Sequence, residues 1–218
     1  MWHMRASILS RMGNDEEAIE WYRKAILKTG RAESWADIAG CYYRIGRYTR
    51  SLACARKATS ISRGEVAGWE WMAVALEALG RADRALELLN VGLQQTGNST
   101  RLLLRKASLL AHRGCECDAI PLLEDIVAQE PTNSAAWHNL GLYRTNRSCQ
   151  SRDRHLLEKA VEAYRRACDL DPDNEDCRRM LGLALALLGS SEAEHVLLRT
   201  LERSPGDEQL TIVLSKWY

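Results

Sequence analysis

Trp35, Trp69, Leu103 and Trp137 recur at one constant interval without a slip in register, and nothing else in the chain restricts its fold so tightly. Behind Trp35 come Ile38, Ala39 and Tyr42, three, four and seven positions later, which is the spacing of one helix face. Gly46 interrupts, and Ser51, Ala55 and Ala58 then open a second stripe of the same kind. Two helices joined by so short a turn leave apolar faces that neither can cover. A fixed period of about 34 residues therefore predicts at least about three stacked helix pairs sharing a continuous core.

The register extends in both directions. The first unit, 1–31, has Trp2, Ala6 and Leu9, a turn at Met12–Asp15 with Asn14 or Asp15 available as a helix cap, then Ala18, Tyr22, Ala25 and Ile26. Units 32–65 and 66–99 are regular; the latter carries Trp69, Met72, Ala73 and Leu76, a turn at Gly80, then Ala85, Leu89, Gly92 and Leu93. Unit 100–133 has Leu103 for tryptophan and keeps Ala107, Gly114, Ala119, Leu123 and Pro131. Its Pro121 is expected near the start of the second helix, where a missing N–H is tolerable. Unit 134–174 opens with Trp137, Leu140 and Gly141 and closes with Ala160, Tyr164, Ala167 and Pro172, but is longer than the regular units by seven positions. The surplus is expected in the turn Thr145–Leu156 or in longer helices beside it. Unit 175–207 has Leu181, Gly182, Leu185, Gly189, Ala193, Leu197 and Leu201, and 208–218 reads as one more helix.

This arrangement of Trp-x2-Leu-Gly-x2-Tyr, Ala-x3-aromatic and a closing Pro resembles the tetratricopeptide repeat family. The resemblance covers nearly the whole chain. It implies an all-α, right-handed α-solenoid of about six helix-turn-helix repeats plus a C-terminal helix, forming one repeat domain over 1–218. It further implies a non-enzymatic adaptor or scaffold that binds a peptide or helix of a partner protein.

Composition narrows the alternatives. A net charge of +1 offers no global attraction for nucleic acid. No apolar run approaches the ~20 residues of a membrane helix, so membrane insertion is not expected. The opening residues lack the apolar centre of an export signal, and seven cysteines without a framework suit a reducing, cytoplasmic setting. Phosphate loops, His-Glu-x-x-His and Gly-x-Ser-x-Gly are all missing, so neither catalysis nor a cofactor is expected. His112, Cys115 and Cys117 have soft-metal spacing but no fourth ligand nearby, and are read as ordinary turn residues with no metal. Cys41, Cys54, Cys168 and Cys177 are read as small buried apolar groups.

The resemblance also places a binding groove along the first helix of each pair. Residues off the structural stripe would face it: Asp37, Gly40, Tyr43 and Arg44; Glu70, Trp71, Val74 and Glu77; Arg101, Leu104, Arg105, Ser108 and His112; His138, Asn139 and Leu142. Tyr43 and Trp71 would anchor apolar side chains, Arg44, Arg101 and Arg105 would pair with carboxylates, and Glu70 and Glu77 would face basic groups. Trp71 follows Trp69 by two positions and cannot share its direction, so it faces either the groove or the neighbouring repeat. A carboxylate clamp of the kind some family members use is incomplete, because Ala36, Gly40 and Trp71 occupy its other positions. Arg144, Arg147, Arg152 and Arg154 with His155 form a second, basic candidate surface for an acidic segment, or else a solvated connector. Self-association through the C-terminal helix, with Leu214 and Trp217 outward, is the alternative to groove binding.

Overall fold

The computed structural model describes residues 1–203 and 206–215. Among them are thirteen α-helices and no strand, all-α helical hairpins throughout. They are α1 (Trp2–Arg11), α2 (Asp15–Thr29), α3 (Ala32–Arg44), α4 (Tyr48–Ile61), α5 (Val66–Ala78), α6 (Ala82–Thr96), α7 (Thr100–His112), α8 (Glu116–Gln129), α9 (Ser134–Ser151), α10 (Arg154–Leu170), α11 (Glu175–Leu188), α12 (Glu192–Arg203) and α13 (Glu208–Ser215). The chain divides into two compact units, Met1–Leu109 and Leu110–Tyr218.

The turns inside the pairs depend on glycine. Gly46, Gly80 and Gly114 follow one another at the interval of the tryptophans, with φ of +74°, +72° and +74°, a left-handed conformation in which a Cβ is strained. The long fifth pair has no glycine at this place. Arg152 takes the left-handed position instead, at φ +55°. The surplus of this pair has gone into its helices, so that α9 and α10 run for 18 and 17 residues and only Arg152 and Asp153 connect them. The Asp153 carboxylate accepts from the Leu156 N–H and starts α10 at once. Of the two destinations expected for the surplus, the turn Thr145–Leu156 or longer helices beside it, the chain takes the second.

Two smaller expectations also change. Asn14 precedes α2 without a side-chain capping bond, and Asp15 is engaged with a different helix. Pro121 is the sixth residue of α8, beyond the first turn. It lies on the exposed side, and the helix continues through it to Gln129 at the loss of one main-chain bond.

In the first unit, one core gathers Ala6, Ala18, Ile19, Tyr22, Ile38, Cys41 and Tyr42 from α1 to α3. The next is built on Leu52, Trp69, Met72, Leu76, Leu89, Leu93 and Leu102. In the second unit Tyr164, Leu181, Leu185, Leu197, Leu210 and Leu214 close around one another. Leu214, expected on an outward face of the last helix, is buried; Trp217 lies outside the described residues.

Candidate functional site

Two tryptophans on α5 explain how the first unit acquires both a core and a surface. Trp69 turns inward against α6, where Gly92 leaves room: a Cβ there would lie 2.9 Å from the indole. Its ring N–H donates to the Arg63 carbonyl at 2.7 Å, and Trp137 repeats this bond to Pro131 at 2.9 Å. Trp71, two positions on, points the other way and rests on α3. Gly40 makes that approach possible, since a Cβ on it would stand 2.8 Å from the indole. Trp71 remains half-buried, with its ring 5.7 Å from Tyr43, which is itself 5.3 Å from Tyr48. The two sequence readings of Trp71 are therefore not exclusive: one face packs on the neighbouring repeat and the rest stays open.

The charged positions meet one another along the same helices. Arg101 of α7 pairs with Glu70 of α5, and Arg105 lies 3.8 Å from Glu77, further along both helices. These four side chains thus already stand beside opposite charges before any ligand arrives. Arg44 is not a free cation, and its expected role is corrected. Its Nε donates to Asp15 Oδ2 at 2.9 Å and its Nη2 to Oδ1 at 2.6 Å, tying α3 to the first turn of α2. Burial pushes the Asp15 carboxyl up, but bonds from Arg44, Cys41 and Ser10 outweigh it and hold the group below the usual range. Gly40 and Val74 are buried in helix packing, and Leu104 and Ser108 are half-buried. Asp37 is pushed up to about 6 by burial; His3, 3.6 Å away, opposes this, and Glu33 and Glu65 add to it.

His112, His138 and Asn139 belong to the second unit. His138 is a packing residue: its ring stands edge-on to Tyr164 at 5.7 Å, and its Nε2 is 3.4 Å from Asp176. Burial lowers its pKa, Asp176 opposes that, and Arg179 adds to it. His112 is exposed and Asn139 half-buried. On the basic face, Arg144 donates to Glu124 at 2.7 Å and to the Lys159 carbonyl at 3.2 Å, while Arg147 contacts the Cys117 thiol. Arg154 is 3.4 Å from Glu158, and Arg152 is exposed at the turn. Among the described residues no group of three or more His, Cys, Asp or Glu is placed to hold a metal, and no helix is long and apolar enough to cross a membrane. Sequence reasoning missed Asp15 as the partner of Arg44 and Tyr48 as the neighbour of Tyr43. Both pairings join separate helices, and no sequence spacing encodes them.

Models of the tetratricopeptide repeat match residues 1–27, 32–65 and 66–109, and a TPR repeat model matches 154–189. The chain belongs to the tetratricopeptide repeat family. A tetratricopeptide array is in general a protein-interaction scaffold without catalysis of its own, and that class of partner applies here. The human protein O-mannosyl-transferase TMTC1 is 25% identical over 174 residues, 78% of this chain. This chain spans only about a fifth (19%) of that relative's length. MamA from Desulfovibrio magneticus RS-1, solved from residue 41 to its end, superposes with a TM-score of 0.64 at 24% identity, over 81% of this chain and 97% of that one. YrrB, described as a TPR protein with an unusual peptide-binding site, superposes with a TM-score of 0.62 at 18% identity, over 89% and 97%.

Proposed function

We propose that the first unit is a non-enzymatic adaptor whose α3–α5–α7 face takes an extended or helical segment of a partner protein. The observation that carries this reading is the half-open Tyr43–Trp71 step set beside the Glu70–Arg101 and Glu77–Arg105 pairs. Aromatic rings of this kind supply contact area at little conformational cost, and a partner's apolar side chain would cover what α3 leaves open. The acid–base pairs give a face of mixed sign. A partner must therefore bring both charges in register, and a purely acidic or purely basic segment is disfavoured. Because these ions already have partners, they contribute more to selectivity than to affinity. Micromolar binding, about −8 kcal/mol, is expected.

Selection of a displayed random-peptide library on the full chain tests this. Enriched peptides should carry an aromatic or large aliphatic residue flanked by opposite charges, and should lose at least tenfold in affinity for Tyr43→Ala. Peptides that bind wild type and Tyr43→Ala equally would reject the face.

A second reading, self-association, is favoured by a different observation. Helix α1 exposes Met4 (68%) and Ile8 (54%), and Met12 (69%), the residue that caps it, is exposed after them. Sedimentation over a hundredfold range of concentration, with Ile8→Lys as the control, decides it. Mass that rises for wild type alone supports this reading, and constant mass rejects it.

A further inference from the structure

The sixth helix pair departs from the pattern at the position that defines it. Pro172, Asn174, Leu181 and Gly182 follow Pro131, Asn133, Leu140 and Gly141 at one constant offset, so the counterpart of Trp137 is Arg178. The anchor is retained: Arg178 donates to the Pro172 carbonyl as Trp137 donates to that of Pro131. The volume of an indole is not. Beside Arg178 lies a cavity of about 330 Å³, with Cys168, Thr200, His195, Arg199 and Arg203 on its wall. Neither Arg199 nor Arg203 forms an ion pair among the described residues, so two guanidinium groups on the cavity wall are open to an anion.

Cys168, half-buried at the end of α10, reaches this cavity. Its Sγ is 3.0 Å from that of Cys177, which is buried in the first turn of α11 and 3.5 Å from the Tyr164 carbonyl. A disulfide between them needs an approach of roughly 1 Å, since the bond is about 2.05 Å long. We propose that Cys168 and Cys177 form a dithiol site that reacts with a small carboxylate-bearing disulfide, glutathione disulfide being the cellular type, seated on Arg199 and Arg203.

The chemistry balances as two exchanges. The Cys168 thiolate attacks one sulfur of the bound disulfide, forming a mixed disulfide and releasing one small thiolate. Cys177 then attacks Cys168 Sγ, passing its proton to the departing second thiolate, and the Cys168–Cys177 bond closes. Two protein thiols are oxidised as one small disulfide is reduced to two thiols. Attack begins at Cys168 for two reasons. Only this sulfur lines the cavity, and its hydrogen bond with Cys177 lowers its pKa against burial, with Arg178 assisting and Asp169 and Asp171 opposing. Cys177 is displaced upward by the same hydrogen bond and by burial, as befits the sulfur that acts second. The product joins α10 to α11 covalently, and so staples the fifth helix pair to the sixth.

The reduced full chain is exposed to glutathione disulfide or to cystamine, a cationic disulfide, quenched by alkylation and mapped by mass spectrometry. Each rate is normalised to that of a free cysteine peptide with the same reagent. The Cys168–Cys177 cross-linked peptide should form at least tenfold faster with glutathione disulfide. Raising salt from about 0.05 to about 0.5 M should remove most of that preference. Arg199→Gln/Arg203→Gln should slow the glutathione reaction several-fold and leave the cystamine reaction unchanged, and Cys177→Ala should halt at a glutathione adduct on Cys168. Absence of the cross-linked peptide, equal normalised rates for the two reagents, or a preference untouched by salt in wild type would each overturn the proposal. The salt series needs no variant, so misfolding of a mutant cannot obscure the result.

Discussion

Asp15→Asn should cost the first unit about 2 kcal/mol at neutral pH, the middle of the range for hydrogen bonds to a charged group. The carboxylate is buried with 6% of its side chain exposed, and it accepts two guanidinium hydrogen bonds from Arg44. Each such bond contributes about 1.5–3 kcal/mol. Arg44 is 42% exposed, however, so water recovers part of the loss, and the amide oxygen keeps one acceptor. Five of the seven tryptophans lie within Met1–Leu109, so their emission follows this unit in a urea titration. With a urea slope of roughly 1.3 kcal/mol/M, the midpoint should fall by about 1.5 M. The pH dependence gives a sharper check. The folded pKa of Asp15 lies below its unfolded value of 3.8, so the stabilisation is complete well above pH 3.8 and is lost as pH falls through the folded pKa. The gap between wild type and Asp15→Asn should therefore be full at pH 7 and shrink below pH 3.8. A gap that is the same at both ends of that range refutes the argument. So does strict additivity with Arg44→Gln, because one shared interaction cannot be lost twice.

Two further outcomes follow from single residues. Asp37 titrates in the opposite sense: its folded pKa of about 6 exceeds the unfolded 3.8, so the protonated form favours folding below pH 3.8 and that contribution disappears as pH rises through 6. Since about a third of the side chain is exposed, Asp37→Asn should stabilise by no more than about 1 kcal/mol at pH 7 and by nothing near pH 3.5, as read from urea midpoints. At the fifth-pair turn, Arg152→Gly should raise stability by about 0.5–1 kcal/mol, because φ of +55° strains a residue with a Cβ. Hydrogen exchange of α9 and α10 measures it, and unchanged protection would mean that the longer helices already absorb the strain.

The helical hairpins are readable from the chain because their determinants are local and recur. The Trp35–Trp69–Leu103–Trp137 register, the glycines 46, 80 and 114, and the small residues at 39, 73 and 107 each occupy one slot in the repeating cycle, and one slot has one environment. Gly92 belongs to the same logic, since it makes room for the Trp69 indole within one helix pair, whereas Gly40, a groove position by pattern, makes room for Trp71 of the next pair. What lies between helices is not readable in this way. Arg44 could have faced a ligand as easily as Asp15, because the pairing depends on where α2 packs against α3. Glu70 and Arg101, two binding charges by pattern, neutralise each other from α5 to α7 for the same reason. The surplus residues of the fifth pair had two allowed destinations, and only the continuation of α9 and α10 to a two-residue turn chose between them. Periodicity is enough to say which residues must be small, bulky or left-handed, since each of those demands arises within a single helix pair. Which charges find partners and which thiols meet depends instead on distances between helices, and a repeat pattern specifies none of them for side chains outside its slots.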